Sequence, residues 1–542
     1  MTQGASARRG LHVSRVWHAS WIGRKSANMD APAAPDALGL HPADALPNYS
    51  HAQILRVITG ILLCILLAAI DQTVVVPAVP AIAADLHGFN HLAWIVSAYL
   101  LTSTSATPIY GRLSDIYGRR ALLLPAIVVF VIASVLCGFA QTLWQLILAR
   151  ALQGIGGGGL MAMAQAAIAD VVAPRERGKY QAYMAGTWGV ASVAGPILGG
   201  WMTDDLSWRW IFWINLPIGI AAFLLSNRAL KLLPVRRLPV RIDYAGAALL
   251  TLCVTAILLM MSWGGTEFSW FSPELLATAV AALVFLAALS WRETTAADPL
   301  VPPRLFANSV FSRGVLIASL TAGAMFGGTF LLPLFFQLLR GVDASASGTL
   351  IVPFLGSNVV GAYVSGQLAR RLGRAKPIVL GGLVMATAGF ALLGLLGAQS
   401  GQMSSVGDMI FVGFGLGIVM PASLVMVQNA AERRDVGVAT GTLLFLRAMG
   451  AALGSTLVGA LLSGEFASGL AARGVTTRID LGALRQHAGT SLVLTPETHA
   501  AAERALGFAF HLSFMVCAAM TGLALLAGIA LVDLPLQSSE KR

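Results

Sequence analysis

From residue 54 to residue 532 the chain alternates apolar runs with short turns that are basic, polar or rich in glycine. A hydrocarbon core about 30 Å thick asks for roughly 20 apolar residues in a helix rising 1.5 Å per residue, and the runs have that length. Each therefore predicts a membrane-spanning helix. Fourteen are read, at 54–80, 92–111, 120–139, 143–168, 180–201, 210–229, 243–263, 274–291, 312–338, 347–369, 377–398, 406–428, 437–462 and 507–532. The predicted fold class is all-α, a polytopic membrane protein. Residues 1–50 are polar, rich in Ala and Pro, and carry no span, which predicts a disordered tail. Met29 opens a more ordinary tail and is an alternative start to Met1. The tail holds no long apolar core of a cleavable signal peptide. The stretch 463–506 reads as one long loop, and 536–542 as a short second tail.

Composition agrees with the pattern. The chain is 56% hydrophobic and 11% charged, with a mean hydropathy of +0.75, whereas soluble domains carry about 25% charged residues. The net charge of +11 is not spread as a nucleic-acid surface would need, so nucleic acid is excluded as a partner. The basic residues gather in alternate turns: Arg112, Arg119 and Arg120, then Arg175, Arg177 and Lys179, and later Arg370, Arg371, Arg374 and Lys376. The other turns offer Asp85, Asp204, Asp205 and Glu267, with Arg340 as their basic residue. By the positive-inside rule both termini are cytoplasmic. The four cysteines (Cys64, Cys137, Cys253 and Cys517) fall in apolar spans without metal-ligand spacing and read as small core residues. The sequence has no GxxxxGK[ST] phosphate loop, HExxH or GxSxG, so no enzyme, cofactor or metal site is predicted.

One acid breaks the apolar pattern deeply. In LLCILLAAIDQTVVVPAVP, Leu62–Pro80, Asp71 lies far inside the first span. A charge there costs at least about 2.5–3.5 kcal/mol, so it needs a partner or a use. Arg150 lies roughly 10 Å into span four from its external end, and Asp71 about 25 Å along span one from its internal end. Asp71 and Arg150 are at comparable depth and can meet if spans one and four adjoin. A permanent structural ion pair is one reading. The other is a titrating site, because burial favours the neutral acid while a guanidinium favours the carboxylate. The second is preferred, with Asp71 carrying the proton. The turn GRLSDIYGRR after span two and GQLARRLGR after span ten also repeat one spacing, with Gly111 and Gly118 matching Gly366 and Gly373. Such internal repeats are one plan of transporters.

Together these segments resemble the major facilitator superfamily. GRLSDIYGRR, Gly111–Arg120, is similar to its cytoplasmic loop signature, and LILARALQGIGGGG from Leu146 to its fourth-helix motif. GVASVAGPILGG from Gly189, centred on Gly195 and Pro196, resembles the antiporter motif of the fifth helix. AIDQTVVVPAVP from Ala69, WRWIFWINLPIG from Trp208 and VQNAAERRDVGVATGTLLFLRAMGAALG from Val427 resemble the fourteen-helix drug:proton antiporters of the EmrB/QacA type. The resemblance implies six-helix bundles at 51–230 and 301–535, with two extra central helices and a linker at 231–300. It implies an inner-membrane efflux carrier that exchanges protons for lipophilic, often cationic, small molecules by alternating access. Proton-coupled uptake, lipid or metabolite export, and a non-transport membrane protein are the alternatives. Relatives of the EmrB kind use a periplasmic adaptor while others work alone, so an adaptor partner stays open.

The same resemblance assigns roles by residue. Gly111, Arg112, Asp115, Gly118, Arg119 and Arg120 form a gating latch, with Asp115 meeting the start of a late helix near Gly437. Gly195 and Pro196 limit leak. Gln72, Thr73, Trp94, Tyr99, Trp188, Asn358 and Arg447 are candidates for the substrate cavity, the aromatic ones through cation stacking. Arg447 either snorkels along its stem or lines the cavity. Asn215, Gln165, Gln337 and Gln428 are read as helix–helix hydrogen-bonding residues first and pore residues second. Trp201, Trp208, Trp210 and Trp213 fit an interfacial belt.

Overall fold

The first helix begins where Ser50 and Gln53 cap each other. The Gln53 N–H donates to Ser50 Oγ at 3.3 Å, and the Ser50 N–H donates to Gln53 Oε1 at 2.8 Å. This reciprocal box satisfies two of the amides a helix start leaves free. The computed structural model describes residues 50–86, 93–232, 243–264, 268–269, 271–342, 349–396, 402–432, 435–472 and 496–536. The expected tail at 1–49, the alternative start Met29 and the segment 537–542 lie outside the described residues.

The first bundle contains α1 (His51–Asp85), α2 (Ala93–Tyr117), α3 (Arg119–Gly138), α4 (Leu143–Val171), α5 (Pro174–Asp205) and α6 (Trp210–Ala229). A hairpin of α7 (Tyr244–Trp263) and α8 (Pro273–Thr295) follows. The second bundle is α9 (Ser309–Leu334, prolonged by a π-helical turn Phe335–Leu339), α10 (Val352–Leu372), α11 (Lys376–Leu395), α12 (Gln402–Ala430), α13 (Val436–Ala471) and α14 (Pro496–Ile529). Among the described residues, eleven helices are long and apolar enough to cross a membrane. The expected spans α2, α5 and α10 fall outside that group. They have 25, 32 and 21 residues, so length is not what sets them apart. Their interiors carry Ser, Thr, Gln and Gly where the others carry Leu and Val.

Glycine explains how tightly the bundles close. In the GIGGGG run of α4, a methyl on Gly156 would stand 2.8 Å from the Ala126 carbonyl of α3. The run is a packing surface in contact with α2 and α3, not a phosphate cradle. The two bundles meet at one end through a pair of crossings. There α2 lies on α13, and a methyl on Gly111 would sit 2.7 Å from the Gly437 carbonyl. Likewise α5 lies on α10 with Gly178 against Gly366, backbone on backbone. Small residues let helices approach this closely. The basic turns fall at this end, here called the basic end.

The hairpin α7–α8 leans on this seam, because Leu250, Val254 and Leu289 pack with Ile109 of α2 and with Phe445 and Met449 of α13. Arg292 holds the hairpin together by a fork onto Asp243 at 2.9–3.1 Å. Burial raises the Asp243 carboxyl, but these bonds and the Gly246 amide outweigh it and leave it below the usual range. After α14 the chain folds back under the second bundle. Lys376 Nζ donates to the Leu531 carbonyl at 2.7 Å, and the Leu536 N–H to the Gly373 carbonyl at 2.8 Å.

Three expectations need correction. The long loop at 463–506 is shorter than expected, because α13 runs to Ala471 and α14 starts at Pro496. Glu465, Glu503 and Arg504 lower the hydropathy there, yet Phe466, Leu470, Ala502 and Leu506 bury an apolar stripe in the core. Trp208 is buried rather than part of a belt, and its Nε1 donates to Asp85 at 3.0 Å. Arg209 joins Arg340 at the end opposite the basic one, pairing with Asp85 at 2.9 Å.

Candidate functional site

Asp71 and Arg150 meet. Arg150 Nη1 donates to Asp71 Oδ2 at 2.7 Å, and the pair is closed off, at 0% and 1% exposure. Two side-chain amides complete the carboxylate. Gln153 Nε2, one turn on from Arg150 in α4, donates to Asp71 Oδ1 at 2.7 Å. Asn215 Nδ2, at the broken start of α6, donates to the same oxygen at 2.8 Å. Ser134 of α3 lies behind them, its Oγ 2.5 Å from Gln153 Nε2 and 3.0 Å from Asn215 Nδ2. Four helices thus converge on one acid.

The arginine is equally enclosed. Its Nε donates to the Ile95 carbonyl at 3.1 Å and its Nη1 also to Gln153 Oε1 at 2.6 Å. The guanidinium carbon lies 4.6 Å from the centre of the Tyr99 ring and 5.8 Å from that of Phe212. Close contact of a desolvated cation with ring faces is worth about 2 kcal/mol. One polar atom is left over, since Asn215 Oδ1 has no hydrogen-bond partner among the described residues. A buried pair need not add stability, but removing one member typically costs about 3–5 kcal/mol. Gln153 ties both charges and Ser134 together, so Gln153→Leu is expected to lower the unfolding free energy by about 1–3 kcal/mol per partner stranded. A melting temperature in detergent equal to that of the native protein would mean the amide is not holding the cluster.

The cavity candidates scatter. Tyr99 is 1% exposed with its ring against Arg150, so in this conformation it offers no face to a cation. Gln72 is half-buried and hydrogen-bonds Tyr99. Thr73 Oγ1 donates to the Ala191 carbonyl of α5 at 2.9 Å. Close by, Gly195 packs on Thr73 and leaves no room for a methyl, while Pro196 takes one donor out of the α5 ladder. Trp94 stands edge-on to Trp263 of the hairpin at 6.2 Å. Trp188 is half-buried between two apolar clusters of the first bundle. Asn358 Nδ2 points to the Gly413 carbonyl at 3.4 Å. Arg447 is half-buried in α13.

The turn between α2 and α3 forms a second cluster. Asp115 accepts the N–H of Gly437 at 3.1 Å and of Val438 at 2.8 Å, at the N-terminus of α13. Arg119 reaches Asp115 at 2.7 Å, Asp170 at 2.7 Å and the Ser114 hydroxyl. Arg120 holds Asn227 Oδ1 at 2.7 Å, and Arg112 lies 3.7 Å from Asp298. Gly118 has φ +88°, a conformation that side chains other than glycine's rarely take, so the turn depends on it. Facing this cluster, Arg175 Nε donates to the Arg370 carbonyl at 2.7 Å, and Arg177 spans from Val172 and Ala169 to Gln428. Both bundles are therefore joined at the basic end by polar ties as well as by glycine crossings.

Gln153 and Ser134 join the site without being among the expected residues; Gln153 stands one turn from Arg150, which puts both on one helix face. Ser134 carried no signal, being one small hydroxyl in an apolar run. Asn215 bonds across helices, as expected, its amide donating to Asp71 and Ser134.

The model of the Major Facilitator Superfamily matches residues 61–455. The chain is 37% identical over 406 residues to the multidrug transporter protein MdtP of Bacillus subtilis (strain 168), covering 75% of each. It is 33% identical over 419 residues to multidrug resistance protein 3 of the same organism, covering 76% of this chain and 80% of the other. In fold it is similar to the proton:xylose symporter XylE, with a TM-score of 0.59 at 15% identity over 88% of this chain and 95% of that one. The chain belongs to the Major Facilitator Superfamily of membrane transporters.

Proposed function

We propose that this transporter is a proton-driven exporter of lipophilic small molecules, working by alternating access in the inner membrane. The sealed Asp71 carboxylate, held by Arg150, Gln153 and Asn215, is the observation that carries the reading. An intramembrane acid in so costly a position is a functional site by default, and carrying a proton is one of the uses such acids serve. Export is favoured because the relatives at 33–37% identity are named for multidrug transport and resistance. All fourteen long helices cross the bilayer in this reading, including α2, α5 and α10, whose polar faces turn inward. The basic end is cytoplasmic, with both termini on that side.

The conformation described is then the one closed toward the cytoplasm. Asp71 is ionised while it accepts from its three donors. Proton entry from outside neutralises it and weakens its hold on Arg150, so the α1–α4 contact loosens and the bundles can rock. Release of that proton inside resets the pair. Arg150 itself never gives up its charge and serves as the reset spring for the carboxylate. The test uses the full-length protein in weakly buffered detergent with a pH indicator. Adding a compound to which expressing cells show raised resistance is expected to release protons in proportion to the protein. If no such compound releases protons, the exchange reading is wrong.

A further inference from the structure

Asp71 and Arg447, both deep in their helices, differ in how they are enclosed. Asp71 is fully enclosed, with both oxygens engaged by Arg150, Gln153 and Asn215, so a cargo molecule cannot reach it without dismantling the cluster. Arg447 is the reverse case. It lies roughly 16 Å from the N-terminus of α13, near the middle of a core about 30 Å thick. Among the described residues it makes no ion pair or hydrogen bond. Thr440 and Gly454, seven residues to either side, and Val458 share its helix face, and all three are buried in the protein. That face points inward, while Leu453 and Leu457 take the exposed side. The half-buried guanidinium therefore opens to the protein interior and not to lipid.

A lone guanidinium in that place is costly, and Arg is the side chain least able to escape by losing its proton. Any lipophilic anion is drawn to that charge, and one with two oxygens can also engage the planar fork. We infer that Arg447 is the cargo-binding cation and that the preferred substrates are lipophilic anions, such as weak acids in their carboxylate, phenolate or sulfonate form. This rests on the efflux reading and departs from the expectation of cationic drugs, which Arg447 would repel. It also fits the proposed exchange, since moving an anion outward and a proton inward are both favoured by a cytoplasm-negative potential.

Tetraphenylborate and tetraphenylphosphonium test it, being nearly equal in size and shape and opposite in charge. Binding of each is measured on the full-length protein in detergent, with protein-free micelles subtracted, and proton release is recorded in parallel. The native protein is expected to bind the anion at least tenfold more tightly than the cation. Arg447→Gln should weaken the anion at least tenfold and leave the cation unchanged or tighter, whereas Arg447→Lys should stay within about threefold of native. A native preference for the cation overturns the inference while leaving the efflux reading standing if protons are released. Anion binding unaffected in a folded Arg447→Gln protein also overturns it. Failure of both ions to bind or to release protons defeats both readings, and because the native preference is measured first, the result does not depend on the variants folding.

Discussion

Asp71→Asn is expected to reduce proton-coupled efflux at least a hundredfold, to the background of cells lacking the protein, and to abolish proton release by the purified transporter. The same substitution should destabilise the fold. An Asn amide keeps one acceptor for Gln153 and Asn215 but turns an NH2 group toward the Arg150 guanidinium, 2.7 Å from where Asp71 Oδ2 stood. Stranding a buried charge in this way costs about 3–5 kcal/mol. Lost transport could then follow from lost folding alone, so the decisive variant is the double one, Asp71→Asn with Arg150→Gln. It removes both charges and leaves amides that can bond to one another. Stability should return to within about 1–2 kcal/mol of native, a coupling read as a double-mutant cycle of melting temperatures. Transport should not return, because no group at the site can carry a proton. Recovery of both would show that the pair is a permanent structural bridge and that the proton travels elsewhere.

That distinction shows what the chain makes readable in advance. Asp71 and Arg150 stood out because an ionised side chain inside an apolar run has few explanations, and their depths could be compared by counting residues along two helices. Nothing comparable announces Ser134, whose hydroxyl closes the cluster from a third helix. Hydropathy also misplaced the ends of α13 and α14, since a few charges on the outer face hid the stripe of Phe466, Leu470 and Leu506 on the inner one. Aromatic residues were the least legible. Tyr99 and Trp208 have the composition of ligand or interface residues, yet one is sealed against Arg150 and the other against Asp85. Which face an aromatic ring presents is set by its neighbours from other helices, and a single chain does not reveal those. The Asp115 contact with the start of α13 was foreseeable only through family resemblance, because its partners are backbone amides more than 300 residues away.

Those amides make Asp115→Asn the second large effect. The carboxylate accepts from Gly437 N–H with Oδ1 and from Val438 N–H with Oδ2, while Arg119 also donates to Oδ1. An Asn has one acceptor oxygen, so its NH2 group must face either a backbone N–H or a guanidinium. Hydrogen bonds to a charged group are each worth about 1.5–3 kcal/mol, and losing one shifts a two-state balance by roughly 10- to 150-fold. The bonds join α2 of one bundle to α13 of the other, and Gly111 lets those helices come close enough to make them. They can therefore exist only while the basic end is closed, so their loss moves the population toward the state open at that end. Spin labels on cysteines placed at Tyr117 and Leu372, both exposed and on opposite bundles, report the opening directly, since the four native cysteines are buried. The native protein should show mainly the short distance and Asp115→Asn mainly a longer one, with turnover slowed about tenfold and cargo affinity little changed. An unaltered distance distribution would leave the acid as part of an orientation signal, with Arg175, Arg177 and the Gly178–Gly366 crossing holding the end shut without it.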